Sequence, residues 1–376
     1  MSIFGMKSTL RIPETIIYGS NTVEELGTHT LKFGKRAVLI YGGKSLHKSG
    51  NYQRVLRSLK AENIYIHEIS GIVHDPDELL VKEVSERVRE LSPAVIIGVG
   101  GGSVIDVAKA AAIISTNGGT VKDYWGGREF LKPSIPCIAV PTTSGTGSEV
   151  TNNAVITSTD KLFKKSIRSQ FMVPRVALVD PTLTLSLPPA ITADTGLDAL
   201  IQNLEAYTSK NSGPITDLFA RKGIELAGMY LLKACQNPDD LEAREAMSLV
   251  SLYGGITLVN AGLGLAHGLS HPLGIRFGIP HGKACAIVMS KVIEFNYPSR
   301  KEKYEEIGML LGGVKDAVRA FNELLNKLGI STKLSDYGVK SENIPFIVEH
   351  SKGGSRNYNP VDHTDETVAK LLEELL

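Results

Sequence analysis

The chain has 376 residues, 42% of them hydrophobic, more than one core can absorb, because single cores stop growing near ~250–300 residues. Its 41 Lys and Arg balance 40 Asp and Glu, and the net charge of +1 is scattered without a basic block, which argues against nucleic acid or an anionic membrane as partner. Cys137, Cys235 and Cys285 form no CxxC pair, "MSIFGMKSTLRIPETIIYGS" lacks the charged-then-apolar order of a leader, and no apolar run reaches the roughly 18–20 residues that span a bilayer. A soluble protein of the reducing cytoplasm is expected.

In chain order, "RAVLIYGG", "IYIHEIS", "AVIIGVGG", "IPCIAVPTT" and "VALVDP" read as short β-branched strands, each apolar enough for burial on both faces. Helical periodicity fills the intervals, as in "ELLVKEVSERVREL" and "SVIDVAKAAAIIS". Strand and helix in alternation predict an open parallel sheet with helices on both sides. From "LPPAITAD" onward the strand patterns stop, and "ITDLFARKGIELAGMYLLKAC" and "KDAVRAFNELLNKLGI" are helical. Prolines in "PTLTLSLPP" put the boundary there. The expected organisation is an α/β domain over 1–184 and an all-α domain over 185–376.

Two loops leave apolar strands with ligand-binding chemistry. In "VIIGVGGGSVIDVAK", Gly100, Gly101, Gly102 and Ser103 open a helix, so backbone N–H groups and the helix dipole can cradle a pyrophosphate; a plain tight turn is the alternative. The run is not G-x-G-x-x-G. Asp106 and Lys109 on that helix read as an ordinary solvated pair. In "VPTTSGTGSEVT", Thr142, Thr143, Ser144, Thr146, Ser148 and Thr151 offer more hydroxyls than a connection needs. In an open parallel sheet, ligands bind beyond the carboxyl ends of the strands, where both loops would lie, and together they favour a dinucleotide.

The second half holds the candidate metal chemistry. In "GLDALIQNLEAY", Asp198 and Gln202 are four apart, with side-chain bases about 5–6 Å apart on one helix face. A carboxylate there can hold a metal; an amide is a poor ligand. The competing reading makes Thr195 an N-cap with Asp198 completing a capping box, and Asp198, Gln202 and Glu205 a wet face. In "GLGLAHGLSHPLGIRFGIPHG", His267 and His271 share a helix face, and His281 follows a Pro/Gly loop. Imidazoles so spaced suit Zn, Fe or Ni. Gly262, Gly264 and Gly268 each cost a helix about 1 kcal/mol against alanine, which suggests close approach by a backbone or ligand.

"GGGSVIDVAK", "PTTSGTGSEVT", "VALVDPTLTLSLPPAITADTGLDAL", "GLAHGLSHPLG" and "IPHGKACAI" together resemble the iron-containing, or group III, alcohol dehydrogenase family, in its order and spacing over nearly the whole chain. The resemblance implies the dehydroquinate synthase-like fold, with an N-terminal dinucleotide-binding domain, a helical C-terminal domain and a divalent metal in the cleft between them. It puts the metal ligands on Asp198, Gln202, His267 and His281 and a histidine near the substrate on His271. Gln202 departs from the family, most of whose members have histidine there, so the site is expected to be weakened but real, holding Fe, Zn or Ni. The cofactor-binding positions it implies are Gly42, Gly43, Lys44, Ser45, Gly101, Gly102, Ser103, Asp106, Thr142, Thr143, Thr146, Ser148, Thr151 and Lys164.

In "LIYGGKSLHKSG", Gly43 stands where NAD-preferring members carry an acid for the ribose 2′-hydroxyl, and this version resembles the butanol dehydrogenase-like branch that prefers NADP. Loss of the acid relieves repulsion against a 2′-phosphate, and Lys44 adds attraction. The implied activity is metal-assisted, NAD(P)-dependent hydride transfer between nicotinamide and a small alcohol or aldehyde, with a homodimer expected. The alternatives are a dehydroquinate synthase-like lyase, for which the helical half lacks a basic cluster, and a silent NADP-binding protein whose metal site has decayed.

Overall fold

The structure, a computed structural model, describes residues 9–160 and 163–376. The reading of a missing leader falls in part on residues 1–8, outside that range. The chain forms two compact units: Ile12–Thr143 with Gly147–Ser186, and Leu187–Leu376 with Ser144–Thr146 and residues 9–11.

The first unit contains strands β1 (Thr15–Tyr18), β2 (Arg36–Tyr41), β3 (Tyr65–Ile69), β4 (Val95–Gly100), β5 (Cys137–Pro141), β6 (Asn153–Thr157), β7 (Lys164–Arg168) and β8 (Val176–Val179). Its helices are α1 (Leu26–Leu31), α2 (Lys44–Lys48), α3 (Asn51–Ala61), α4 (Glu78–Leu91), α5 (Gly102–Asn117) and α6 (Val121–Trp125). Six strands form a parallel sheet in the order β1-β8-β5-β4-β2-β3, and β6 and β7 pair separately as an antiparallel hairpin. Val38, Ile40 and Ile96 point to one apolar layer and Leu39, Ile97 and Val99 to the other, the two-sided burial that βαβ crossovers impose. Gly98 is required by packing: a Cβ there would come within 2.9 Å of the Ala108 Cβ on α5.

Three local expectations change. The "IYIHEIS" strand, β3, is the sheet edge, and Tyr65 is 61% exposed, so two-sided burial does not hold for it. Strand β1 and the β6–β7 hairpin carry too little periodicity to read from sequence. Asp106 and Lys109 are not solvated. Lys109 Nζ lies 3.1 Å from Asp106 Oδ1 and donates to Ser148 O (2.9 Å) and Thr151 Oγ1 (2.8 Å), while Asp106 Oδ2 accepts from Val155 N (2.9 Å). A helix-face i,i+3 pair looks the same in sequence whether wet or buried; the hairpin that covers it decides.

The second unit is helical: α7 (Pro189–Thr208), α8 (Pro214–Gln236), α9 (Leu241–Ala261), α10 (Leu265–Phe277), α11 (His281–Asn296), α12 (Lys301–Gly312), α13 (Ala317–Lys327), α14 (Ile344–His350) and α15 (Asp365–Glu373). Helix α7 starts six residues before Thr195, whose hydroxyl donates back to Ile191 O, so the proposed capping box does not exist. Pro189 takes the first helical position, where its missing N–H costs nothing. Every residue from Gly196 to Thr208 is buried, so α7 has no wet face there. Buried Arg244 ties α9 to the start of α7 by donating to Thr192 Oγ1 (2.8 Å) and Leu187 O (3.1 Å). Among the described residues no single helix is long and apolar enough to cross a membrane.

Replacing Lys109 alone strands the buried Asp106 carboxylate. Lys109→Ala is expected to destabilise the protein by about 3–5 kcal/mol in urea unfolding, and the double change Asp106→Asn with Lys109→Met to recover most of that loss.

Candidate metal and nucleotide sites

The nucleotide-binding candidates sit where the sheet topology reverses. From β2 the chain moves outward to β3, then returns to β4 on the opposite side of β2 and continues to β5 and β8. The carboxyl ends of β2 and β4 therefore flank the switch point, where α/β sheets bind ligands. Gly42 follows β2, Gly43 precedes α2 and Lys44 and Ser45 open it, the last three with their surfaces exposed. Gly101 precedes α5, with Gly102 and Ser103 as its first residues, leaving N–H groups at its start to face an anion. Thr142 and Thr143 follow neighbouring β5; Thr142 N donates to Gly100 O (3.0 Å), and a Cβ on Gly101 would touch Thr143 at 3.4 Å. Thr146, with Ser144 and Gly145, groups with the helical unit, where Ser144 Oγ lies 3.1 Å from Ser248 Oγ. Ser148, Thr151 and Asp106 surround Lys109, and Lys164 on the hairpin pairs with Asp75 at 2.6 Å.

In the helical unit, α7, α10 and α11 converge on one polar cluster. Asp198 Oδ1 lies 3.2 Å from His267 Nε2 and 3.6 Å from His281 Nε2. The His271 and His281 rings are 5.4 Å apart between centroids, and those of His267 and His281 5.6 Å. Gln202 is buried beside them, and its Nε2 donates to Asp198 Oδ1 at 3.1 Å. Its Oε1 has no hydrogen-bond partner. Unforeseen from sequence, Cys285 belongs to the same cluster: one donor atom from each of Asp198, His267, His281 and Cys285 lies within 4.8 Å of every other. The available signal was its spacing, since His281 and Cys285 are four apart on α11.

Carboxylates on α7 hold the histidine-bearing helices in place. Glu205 accepts from Gly264 N (2.9 Å) and Ala266 N (2.7 Å) at the start of α10 and lies 2.7 Å from His267 Nδ1. It thus caps that helix and fixes the ring so that Nε2 faces Asp198. Asp194 accepts from Lys283 N (2.8 Å) at the start of α11, where Pro280 has no side-chain cap to give. Gly282 permits that approach: a Cβ there would lie 1.9 Å from Asp194 O. The glycines before and in α10 serve close packing too, but against side chains: Gly262 faces Tyr358, Gly264 faces Glu205 and Gly268 faces Arg356. Only Gly268 lies inside the helix, so the helix penalty applies there alone.

The cluster's charges are mutually dependent. Burial alone would raise the Asp198 carboxyl, but His281 and His267 hold it below its ordinary value. Burial would lower both imidazoles, yet Cys285 and Asp198 reverse this, raising His267 well above 6.5 and His281 to about 9. Burial would raise the Cys285 thiol, but the two imidazoles pull it below 9.0. An acid and two histidines with facing nitrogens, Asp198 and His267 buried and His281 partly so, fit a divalent transition metal. Glu205 behind His267 supplies the carboxylate–histidine support that such sites use.

The chain matches the family models for iron-containing alcohol dehydrogenase over residues 13–181 and for the C-terminal domain of Fe-containing alcohol dehydrogenases over residues 192–376. It belongs to the iron-containing alcohol dehydrogenase family. It is 32% identical to the NAD-dependent methanol dehydrogenase of Bacillus methanolicus, covering 97% of this chain and 99% of that one. A solved 1,3-propanediol oxidoreductase superposes with a TM-score of 0.94 at 32% identity, covering 99% and 100% of the two chains. The sulfoacetaldehyde reductase of Bifidobacterium kashiwanohense, solved in complex with NAD+, gives 0.91 at 32% identity over 99% of each chain. The protein is thus an oxidoreductase acting on CH–OH groups with a nicotinamide dinucleotide and a metal, and neither the lyase nor the silent binder gains support.

Without metal, His267 and His281 hold their protons above the ordinary imidazole range, His281 to about 9, whereas the Cys285 thiol gives up its proton more readily than in the unfolded chain. Two groups gain proton affinity on folding and one loses it, so stability is expected to fall as pH rises from 6.5 to 9. Thermal unfolding of chelator-treated protein is expected to show a midpoint that declines from pH 6.5 to 9, with a shallower decline in His281→Gln.

Proposed function

We propose that the protein reduces small aldehydes to alcohols, reversibly, using NADP(H) in preference to NAD(H) and a divalent metal held by Asp198, His267 and His281. The observation that carries this reading is the convergence of those three donors, braced by Glu205, in a chain of this family. When bound, the metal supplies a Lewis acid for the oxygen at which negative charge develops during hydride transfer.

The protein's own groups do the rest. Glu205 keeps His267 Nδ1 engaged so that Nε2 serves the site. His271, partly exposed and next to His281, exchanges the alcohol proton with solvent. The start of α5 and the hydroxyls of Thr142 and Thr143 take the cofactor's phosphates. Preference for NADP(H) is supported by the end of β2. No acid stands there, a Cβ on Gly43 would meet nothing within 4 Å, and exposed Lys44 follows. A 2′-phosphate would meet open space and a cation. Two copies of the chain in the cytoplasm complete the proposal, which light scattering of the purified protein tests for assembly.

The test is NADPH oxidation by a panel of short aldehydes, in protein stripped by chelator and reloaded with Zn, Fe or Ni. Turnover is expected only with metal; NADPH binding without turnover under any metal would defeat the proposal. Gly43→Asp is expected to shift the ratio of kcat/KM for NADPH over NADH toward NADH by about tenfold or more, because a carboxylate so placed repels the 2′-phosphate. His271→Ala is expected to lower kcat by about 10²-fold or more and remove an ionisation from its pH profile, with KM for NADPH unchanged. An unchanged rate and profile would remove His271 from the proton path.

A further inference from the structure

We propose that Cys285 is a direct ligand of the metal, taking the coordination place that Gln202 does not fill, and that the resulting Asp, His, His, Cys centre selects zinc or cobalt over ferrous iron. The inference rests on the metal reading above and specifies its donor set.

Three observations carry it. The first is distance. An ion with Zn–N and Zn–O bonds of about 2.0–2.1 Å and a Zn–S bond of about 2.3 Å separates neighbouring tetrahedral donors by roughly 3.3–3.7 Å. The donor separations are 3.2 Å for Asp198 to His267, 3.6 Å for Asp198 to His281 and 4.0 Å for His281 Nε2 to Cys285 Sγ, and no pair among the four exceeds 4.8 Å, so closing on one ion needs shifts of about 1 Å or less.

The second is the state of Gln202. The group it presents to Asp198 is its amide nitrogen, which carries hydrogens and offers a metal nothing. Its oxygen faces away, so near Gly254 that a Cβ there would come within 2.7 Å of it. Coordination through oxygen would require turning the amide over and giving up the bond to Asp198. In its present orientation Gln202 positions the Asp198 carboxylate and leaves the fourth place to another donor.

The third is the setting of the thiol. A buried free cysteine ordinarily packs as a small apolar side chain. Cys285 is fully buried, yet it faces a carboxylate and two imidazoles, and all three cysteines of the chain are free. Coordination sends its thiol proton to solvent and replaces it with the metal. A thiolate in the set favours borderline-soft ions over iron in an oxygen and nitrogen site.

The experiment adds cobalt(II) to the chelator-stripped full-length protein and records absorption, then measures zinc affinity by competition with a chromophoric chelator. Wild type and Gln202→Ala are expected to show the near-ultraviolet thiolate-to-cobalt charge-transfer band, and Cys285→Ala to lack it. Cys285→Ala should weaken zinc binding at least about 100-fold, since loss of outer-sphere support alone costs 10–100-fold, and Gln202→Ala by less than about tenfold. The band in wild type needs no variant to fold. Stoichiometric cobalt binding without the band, or full zinc affinity in Cys285→Ala, would overturn the cysteine assignment and leave the metal reading standing. Failure of wild type to bind either ion would overturn both.

Discussion

Everything in the helical unit turns on the burial of charge along α7. Asp194, Asp198 and Glu205 lie on a helix packed on all sides by α8, α9, α10 and α11, and Asp198 and Glu205 are almost completely removed from water. An ionised carboxylate in such a place is tolerable only with partners. Each has them: Asp194 and Glu205 meet the N-termini of α11 and α10, and Asp198 meets the two histidines those helices bring. The same contacts that satisfy the acids therefore set the angle and depth at which His267 and His281 arrive. Stability and site geometry are one arrangement here, with the helix dipoles adding their share at the capped ends.

That arrangement also gives Gln202 its place. The amide takes a structural part, donating to Asp198, while α11 offers Cys285 one turn beyond His281. Under the assignment proposed above, the donor that Gln202 does not supply comes from a different helix.

The α/β unit follows the opposite logic, with its chemistry in the backbone. Gly100 to Gly102 and the start of α5 offer N–H groups, and Gly43 offers room, features legible in the sequence as composition: glycines and hydroxyls after apolar strands. The hydroxyls divide on folding. Thr142 and Thr143 stay at the strand ends, while Thr151 is drawn inward by Lys109. Nothing in "VPTTSGTGSEVT" distinguishes them, because the distinction comes from a lysine some forty residues earlier in the chain.

The sequence alone determined the strand-and-helix alternation, the change to an all-helical second half, the glycine cradle and the spacing of Asp198, His267 and His281. These are local patterns, carried by periodicity and by side chains whose chemistry is the same wherever they lie. Only the tertiary structure decided that Gln202 and Glu205 are buried and not wet, that Asp106 and Lys109 form an interior pair, and that Cys285 joins the histidines. A helix face has no intrinsic sign of being inside or outside until another helix covers it. On α7 two of the covering helices, α10 and α11, are the ones whose ends its acids hold, so burial, capping and site formation depend on packing that no window of sequence contains.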